Sequence, residues 1–211
     1  DHLTTSVLAE ENADERVEPA SLAKIMTIYA AGHALQSELI ALDDKVKISE
    51  KAWRMGGSRM FIEAGNHVSV DELLDGVIVQ SGNDASVALA EHVYGTEEVF
   101  ATVMNEHARQ LGMTGSSFSN STGLPDPNTY TTARDIVLLS AALITEFPRL
   151  YARFSMPQFT YNGIRQVNRN KLLFRDDTVD GIKTGHTKSA GYCLVSSAER
   201  DGMRLIAAVM G

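Results

Sequence analysis

The chain has 211 residues, of which 44% are hydrophobic and 22% charged, and its net charge is −8. This composition is ordinary for a globular protein, and so acidic a chain is a poor candidate for nucleic-acid binding, because phosphate contacts need clustered cations. No apolar run approaches the roughly 18 residues of a membrane span, and no basic, then apolar, leader opens the chain, so we expect that any signal peptide has been removed. The lone Cys193 excludes an internal disulfide and is expected to be a small buried core residue.

Strand, turn and helix signals follow one another in the first part of the chain. Residues 3–9 have strand character, and residues 12–15 are typical of a turn. A largely buried helix is predicted over residues 19–32, because apolar side chains recur there at helical spacing. Residues 45–70 are expected to be irregular, with short pieces of strand.

Helical signals dominate from residue 70 to about residue 150. Thr132 and Asp135 have the spacing of a capping box ahead of an apolar run. Before them, residues 121–130 are rich in Gly, Pro, Asn and Asp, which is typical of a loop. The predicted helices cover residues 70–74, 84–90, 97–111 and a segment that begins after Thr132.

After Pro157 the apolar period changes toward two, which predicts strands at 159–162, 179–184, 191–198 and 203–210. Hairpin turns are expected at Gly163 and at residues 199–202. Strand signals at both ends predict a mixed α+β (α/β) fold, in which an antiparallel sheet built from both chain ends is flanked by helices. We expect one domain over 1–211, with a sheet lobe at about 1–30 and 157–211 and an inserted, mostly helical lobe at about 31–156.

Three motifs that each occur once carry the chemistry: Ser-x-x-Lys at 21–24, Ser-x-Asn at 81–83 and Lys-Thr-Gly at 183–185. On a helix, Ser21 and Lys24 lie on one face, one turn apart. A lysine held near other cations and out of water can lose its proton near neutral pH and serve as a base. Serine needs such a neighbour, because its own hydroxyl is a weak nucleophile. Taken alone, however, Ser-x-x-Lys more often marks a helix cap beside a solvated lysine.

The other two motifs place polar groups where they can face a cleft. Ser81 and Asn83 lie on a predicted tight loop before a helix, a pattern that alone indicates only a turn and an N-cap. Lys183 lies on a predicted strand; at a sheet edge, such a strand can pair with an extended peptide. Gly185 permits a close approach of another backbone, and the Thr184 hydroxyl can hold an anionic group. The ordered set of three motifs favours a protein in which a serine is acylated.

These residues resemble the serine penicillin-recognising enzymes, whose members carry the same three motifs. Longer stretches resemble the D-alanyl-D-alanine carboxypeptidases, which are the low-molecular-mass penicillin-binding proteins of bacterial cell walls. The resemblance runs over nearly the whole chain, and the stretches that carry it are 19–24, 57–61, 80–85, 168–170 and 180–187.

The resemblance implies a mechanism. Ser21 would attack the carbonyl between the two terminal D-alanines of a peptidoglycan stem peptide, with Lys24 accepting its proton. Ser81 and Lys183 would relay a proton to the departing D-alanine, while Asn83 would orient Lys24. Water would then hydrolyse the acyl-enzyme. The implied substrate contacts are an oxyanion hole formed by the backbone N–H groups of Ser21 and His186, and a substrate-binding set of Thr184, Gly185, His186 and Arg169.

The resemblance also implies partners and a location. Peptides that end in D-Ala-D-Ala would be the substrate, β-lactams would be covalent inhibitors, and the protein would act in the bacterial periplasm or at the cell-envelope exterior. Family members usually continue with a helix that carries a carboxylate-binding Arg, a β-rich domain and an amphipathic membrane anchor, and the present sequence stops before these segments. We therefore expect an incomplete carboxylate site and membrane association only through a segment outside the chain. No cofactor and no metal is expected, because the six histidines show no metal-binding pattern.

Three other activities share these motifs and stay open. A D,D-endopeptidase would cut crosslinks, and a non-catalytic β-lactam sensor would stay acylated. A β-lactamase is less favoured, because class A members use a loop Glu with a downstream Asn to activate the deacylating water. The Glu residues between the second and third motifs all fall in predicted helical stretches without such an Asn: Glu91, Glu97, Glu98, Glu106 and Glu146.

Overall fold

Seven α-helices and seven β-strands form the fold in the computed structural model, which describes residues 1–211. The helices are α1 (Ala23–Gln36), α2 (Glu50–Trp53), α3 (Val70–Asp75), α4 (Asn83–Tyr94), α5 (Glu97–Gln110), α6 (Ala133–Glu146) and α7 (Pro148–Tyr151). The strands are β1 (Lys45–Lys47), β2 (His67–Ser69), β3 (Gln158–Tyr161), β4 (Ile164–Val167), β5 (Val179–Thr187), β6 (Gly191–Arg200) and β7 (Met203–Val209). The predicted helices and the strands after Pro157 are confirmed, with ends that differ by a few residues.

All strand pairs are antiparallel, and the largest sheet has the order β5-β6-β7. A two-residue turn joins β6 to β7, with Asp201 at φ 50° and Gly202 at φ 75°. The same kind of turn joins β3 to β4, with Asn162 at φ 47° and Gly163 at φ 75°. Positive φ at both central residues matches the twist of the flanking strands, and Asn, Asp and Gly are the residues that adopt it readily. Both predicted hairpin turns are confirmed.

The mixed α+β class with antiparallel sheets is confirmed, but the strand predicted at residues 3–9 is wrong. These residues form no strand, and Leu3, Val7 and Leu8 are largely exposed. The N-terminal end reaches the main sheet through one backbone bond, in which the His2 N–H donates to the Arg204 carbonyl at 2.9 Å. A short segment of strand character becomes a strand only where it packs and pairs with neighbours, and residues 3–9 find no partner strand.

Helix α1 lies at the centre of the molecule, and most of it is buried on all sides. Its residues from Ala23 to Gly32 are buried without exception, and α4, α5 and α6 pack around it. A helix that is hydrophobic all round is a core helix rather than a surface one. Because Lys24 is the second residue of this helix, its side chain begins inside the core.

The caps of two helices explain where those helices begin. Ser69 and Glu72 form a reciprocal capping box at the start of α3. At the start of α6 the Thr132 hydroxyl accepts from the Asp135 N–H at 3.1 Å. The Asp135 carboxylate instead accepts from the Gly115 N–H at 2.9 Å, so only half of the predicted capping box forms. None of the helices is long and apolar enough to span a membrane.

Candidate active site

A cleft of about 1020 Å³ brings the three motifs together. Strand β5 lines the cleft, as do the loops at 57–58 and 122–124. Lys24 and Lys183 lie beneath the cleft floor, with relative exposures of 1% and 3%. The predicted residues that line the cleft are Ser21, Ser81, Asn83, Arg169, Thr184, Gly185 and His186.

Ser21 lies in a 3₁₀ turn, Ala20–Leu22, directly before α1. Ala20 has a positive φ of 46°, and an L-residue adopts that conformation only where its surroundings enforce it. Gly123 contributes to this, because a Cβ at that position would lie 1.8 Å from the Ala20 carbonyl oxygen. The contact between the 121–123 loop and the strained turn therefore requires glycine and fixes Ser21 at the cleft.

The side chain of Lys24 points from α1 back toward Ser21 and is fully enclosed. Its Nζ lies 3.1 Å from Ser21 Oγ, and it donates to Asn83 Oδ1 at 2.7 Å and to the Thr122 carbonyl at 2.6 Å. Burial, and then the positive charges of Lys183 and Arg169, hold the pKa of Lys24 well below its usual range. The geometry thus provides a lysine whose pKa is lowered by its surroundings, in contact with the serine hydroxyl.

Ser81 and Asn83 are presented by an irregular turn between α3 and α4. The preceding segment, Gly76–Gln80, is a π-type turn, a feature frequent at functional sites. Ser81 is left-handed, with φ 62° and ψ 35°, which turns its hydroxyl into the cleft at a cost of about 1–3 kcal/mol. The Asn83 side chain is fixed at both ends, because its Nδ2 donates to the Gly56 carbonyl at 2.7 Å while its Oδ1 accepts from Lys24.

Lys183 reaches Ser81 from strand β5 in the same way that Lys24 reaches Ser21. Its Nζ donates to Ser81 Oγ at 2.8 Å and to the Thr184 carbonyl at 3.1 Å. Burial, followed by the charge of Arg169, lowers the pKa of Lys183 to about 7. This lysine can therefore give up or take up a proton near neutral pH.

Strand β5 passes close to the serine turn because residue 185 has no side chain. A Cβ at Gly185 would lie 3.2 Å from the Ser21 nitrogen, from the Ala20 Cβ and from the Pro19 carbonyl oxygen. On either side of this glycine, Thr184 and His186 line the cleft. Because β5 pairs with β6 alone, its other edge is open toward the cleft.

Arg169 stands between two asparagines that anchor its loop. Asn168 Nδ2 donates to the Met156 carbonyl at 3.0 Å, and Asn170 Nδ2 donates to the Gly181 carbonyl of β5 at 3.1 Å. Both asparagines are buried, whereas Arg169 is exposed at the cleft. The arrangement holds one cation at the cleft without an ion pair.

Two groups at the site escaped the sequence prediction. The Thr122 carbonyl contacts Lys24, but a backbone acceptor leaves no side-chain signature, and its segment was recognised only as a loop. Asp84 is buried beside Asn83, and its carboxylate accepts from the Met60 and Phe61 N–H groups at 2.9 Å each. It thereby ties the loop that forms one cleft wall to the start of α4. The Ser-Gly-Asn-Asp sequence was the available signal, since a carboxylate in the first turn of a helix often binds backbone N–H groups.

The arrangement can perform acyl transfer through Ser21. A hydroxyl in contact with an amine of lowered pKa can be activated as a nucleophile, and the second pair, Ser81 and Lys183, provides a separate path for a proton. The open edge of β5 provides main-chain groups for an extended substrate.

Comparison with known proteins agrees with this geometry. The family model described as D-alanyl-D-alanine carboxypeptidase, Peptidase_S11, matches residues 1–211. The chain belongs to this family. Curated members include the D-alanyl-D-alanine carboxypeptidase DacC of Escherichia coli K12, which is 48% identical over the whole chain, and DacA of Haemophilus influenzae, which is 45% identical. The chain spans about half the length of these relatives, 54% and 55%.

Solved structures of similar proteins share the fold. The carboxypeptidase DacD from Francisella tularensis superposes with a TM-score of 0.98 at 36% identity, over 100% of this chain and 64% of that one. Penicillin-binding protein D2 from Listeria monocytogenes, in its ampicillin-bound form, has a TM-score of 0.90 at 31% identity, over 99% of this chain and 85% of that one.

Proposed function

We propose that this protein hydrolyses the terminal D-Ala-D-Ala peptide bond of peptidoglycan stem peptides through an acyl-enzyme on Ser21, releasing D-alanine. The observation that carries the proposal is the 3.1 Å contact between Ser21 Oγ and Lys24 Nζ inside a water-poor site. Family membership over residues 1–211 supports the substrate class.

Acylation begins when Ser21 Oγ attacks the carbonyl carbon between the two D-alanines. Its proton passes to Lys24, whose pKa burial has lowered, and the carbonyl oxygen becomes an oxyanion. The backbone N–H groups of Ser21 and His186 receive that negative charge; one such donor contributes about 3–4 kcal/mol in acyl-transfer enzymes. As the C–N bond breaks, the leaving D-alanine nitrogen takes a proton from Ser81, which Lys183 replenishes.

Substrate binding uses the open edge of β5. An extended peptide pairs with the strand near Gly185, where no side chain intervenes. The terminal carboxylate is held by the Thr184 hydroxyl and by the cation of Arg169. Asn83, which already contacts Lys24, bonds the substrate amide.

Deacylation completes the cycle when water attacks the ester and Ser21 recovers its proton. β-Lactams acylate the same serine, but their leaving group stays tethered and slows this step. The ampicillin-bound relative supports the assignment of β-lactams as ligands. The family's substrate also supports action at the bacterial cell envelope, on the periplasmic or exterior side; the division of the chain into a sheet lobe and a helical lobe stays part of this proposal.

Incubation of the protein with diacetyl-Lys-D-Ala-D-Ala tests the proposal, with Ser21→Ala as the inactive comparison. Release of free D-alanine by the wild-type protein alone supports the carboxypeptidase. Stable acylation by a penicillin without peptide turnover would indicate a sensor instead. Cleavage of a crosslinked dimeric muropeptide, without release of terminal D-alanine, would indicate an endopeptidase.

A further inference from the structure

Lys24 has a polar neighbour that belongs to none of the three motifs, the Thr122 carbonyl at 2.6 Å. The other two neighbours are Asn83 Oδ1 and Ser21 Oγ. In the free-amine form that the proposed function requires of Lys24, the side chain has two hydrogens to donate and one lone pair. The two fixed acceptors take both hydrogens, which leaves the lone pair for the Ser21 hydroxyl. The Thr122 carbonyl is therefore one of two groups that set the direction in which Lys24 accepts a proton.

The position of that carbonyl depends on the residue before it. Ser121 is fully buried, and its backbone N–H and its Oγ both donate to the same Glu97 oxygen, Oε1, at 3.0 and 2.7 Å. On the opposite side the Ser121 carbonyl accepts from Thr27 Oγ1 of α1 at 2.7 Å. Glu97 thus holds the Ser121–Thr122 segment against α1 at two points.

Glu97 is held firmly enough to act as an anchor. It is the first residue of α5 and is 8% exposed. Its second oxygen lies 3.0 Å from Lys51 Nζ, so the buried carboxylate is both paired and hydrogen-bonded, as a buried charge must be. Lys51 also contacts Glu98 at 3.1 Å, but the Glu98 side chain is 75% exposed and takes no part in holding Ser121.

We propose that Glu97 is a positioning residue for acylation, which fixes the Ser121–Thr122 segment so that the Thr122 carbonyl directs the lone pair of Lys24 toward Ser21. The inference rests on the roles of Ser21 and Lys24 in the proposed function. The two carboxylates whose charges act on Lys24 are those of Asp84 and Glu97. Neither belongs to the three motifs.

The charges around Lys24 add a second readout. Burial and the cations Lys183 and Arg169 lower the pKa of Lys24, whereas the carboxylates Asp84 and Glu97 oppose that lowering. Removal of the Glu97 charge alone therefore lowers the pKa of Lys24 further. A merely structural role for Glu97 would leave the pH dependence of acylation in place.

The test compares Glu97→Ala and Glu97→Gln with Glu98→Ala and Glu98→Gln, which alter the other partner of Lys51. The measured quantity is the second-order rate constant for acylation by a fluorescent penicillin, from about pH 5 to about pH 10. We expect Glu97→Ala to lower this rate constant roughly 10- to 100-fold, as small displacements of catalytic groups do. Glu97→Gln keeps an acceptor for Ser121, so its maximal rate stays within about 3-fold of wild type while its acid limb moves to lower pH. Both Glu98 variants keep the wild-type rate and profile.

Wild-type rates and an unmoved acid limb in both Glu97 variants would overturn the inference. Equal losses in Glu97→Ala and Glu98→Ala would also overturn it, because they would assign the effect to Lys51. If Glu97→Ala does not fold, Glu97→Gln together with Ser121→Ala decides: we expect a shifted acid limb in the first and a slower acylation in the second, and wild-type behaviour of both contradicts the inference. Absence of acylation in wild type and in the Glu98 variants would overturn the proposed function, and this inference with it.

Discussion

The side-chain nitrogen of Lys183 lies 2.8 Å from the hydroxyl oxygen of Ser81, although 102 residues separate them in the chain. Neither residue has a closer carboxylate partner, and Lys183 is buried. A buried lysine that contacts a hydroxyl instead of a carboxylate has its pKa lowered chiefly by desolvation. Such a lysine can pass protons instead of holding one permanently.

The low pKa of Lys183 makes stability depend on pH. Its folded pKa is about 7 against an ordinary 10.5, so between these values the unfolded chain binds more protons than the folded one, and the free energy of unfolding rises with pH. The gain in the free energy of unfolding is fully present above about pH 10.5, and it is lost as the pH falls toward about 7. Denaturant unfolding at several pH values should show this rise in wild type and a smaller one in Lys183→Met. Parallel curves for the two proteins would contradict the assigned pKa.

The contact between Asn83 and Lys24 predicts the effect of one isosteric change. Asn83→Asp places a carboxylate 2.7 Å from Nζ, which stabilises the ammonium form and raises the pKa of Lys24. We expect acylation by penicillin near pH 7 to fall at least about 10-fold, with the acid limb of the pH profile moved to higher pH. Asn66→Asp, on an exposed turn, adds the same charge away from the cleft and should change neither. An unmoved acid limb in Asn83→Asp would mean that Lys24 is not the base.

The close approach of β5 to Ser21 predicts that Gly185→Ala is damaging. The added methyl meets three backbone or Cβ atoms at 3.2 Å, so either the strand or the serine turn must shift, at a cost of about 1–3 kcal/mol. We expect the melting temperature to fall by a few degrees and kcat/KM for the peptide to fall about 10-fold or more. Wild-type kcat/KM in a folded Gly185→Ala protein would show that β5 is not the substrate strand.

Arg169 is predicted to bind the substrate carboxylate and to lower the pKa of Lys183. Its removal in Arg169→Ala takes away a cation near the proposed carboxylate position, and we expect KM for diacetyl-Lys-D-Ala-D-Ala to rise about 10-fold, the size of one charge-assisted hydrogen bond. The pKa of Lys183 should rise as well, because the charge of Arg169 lowers it. Arg165→Ala, an exposed position on the β3–β4 hairpin, is the matched control. An unchanged KM would assign carboxylate binding to other residues.

Much of the fold and of the site follows from local sequence. The turns at Asn162–Gly163 and Asp201–Gly202 could be predicted because few residues adopt positive φ, and helix α1 could be predicted because apolar side chains recur in it at helical spacing. The three motifs predicted which side chains meet at the cleft because acyl transfer requires a nucleophile, a base and a proton path. Their individual roles stay predictions until the variants are measured.

What the sequence did not reveal depends on contacts between distant segments. Residues 3–9 have strand character, yet a strand forms only where a neighbouring strand and a core face receive it. The Thr122 carbonyl and its anchor Glu97 come from a loop and a helix start, and neither shows a catalytic pattern in one sequence. The left-handed conformation of Ser81 is likewise imposed by packing, since serine has no intrinsic preference for it.

The most direct test of the account is peptide mapping by mass spectrometry after incubation with benzylpenicillin. We expect one penicilloyl group per chain, on Ser21, and its loss in Ser21→Ala. Labelling at another residue, or no covalent adduct on the folded wild-type protein, would contradict activation of Ser21 by Lys24.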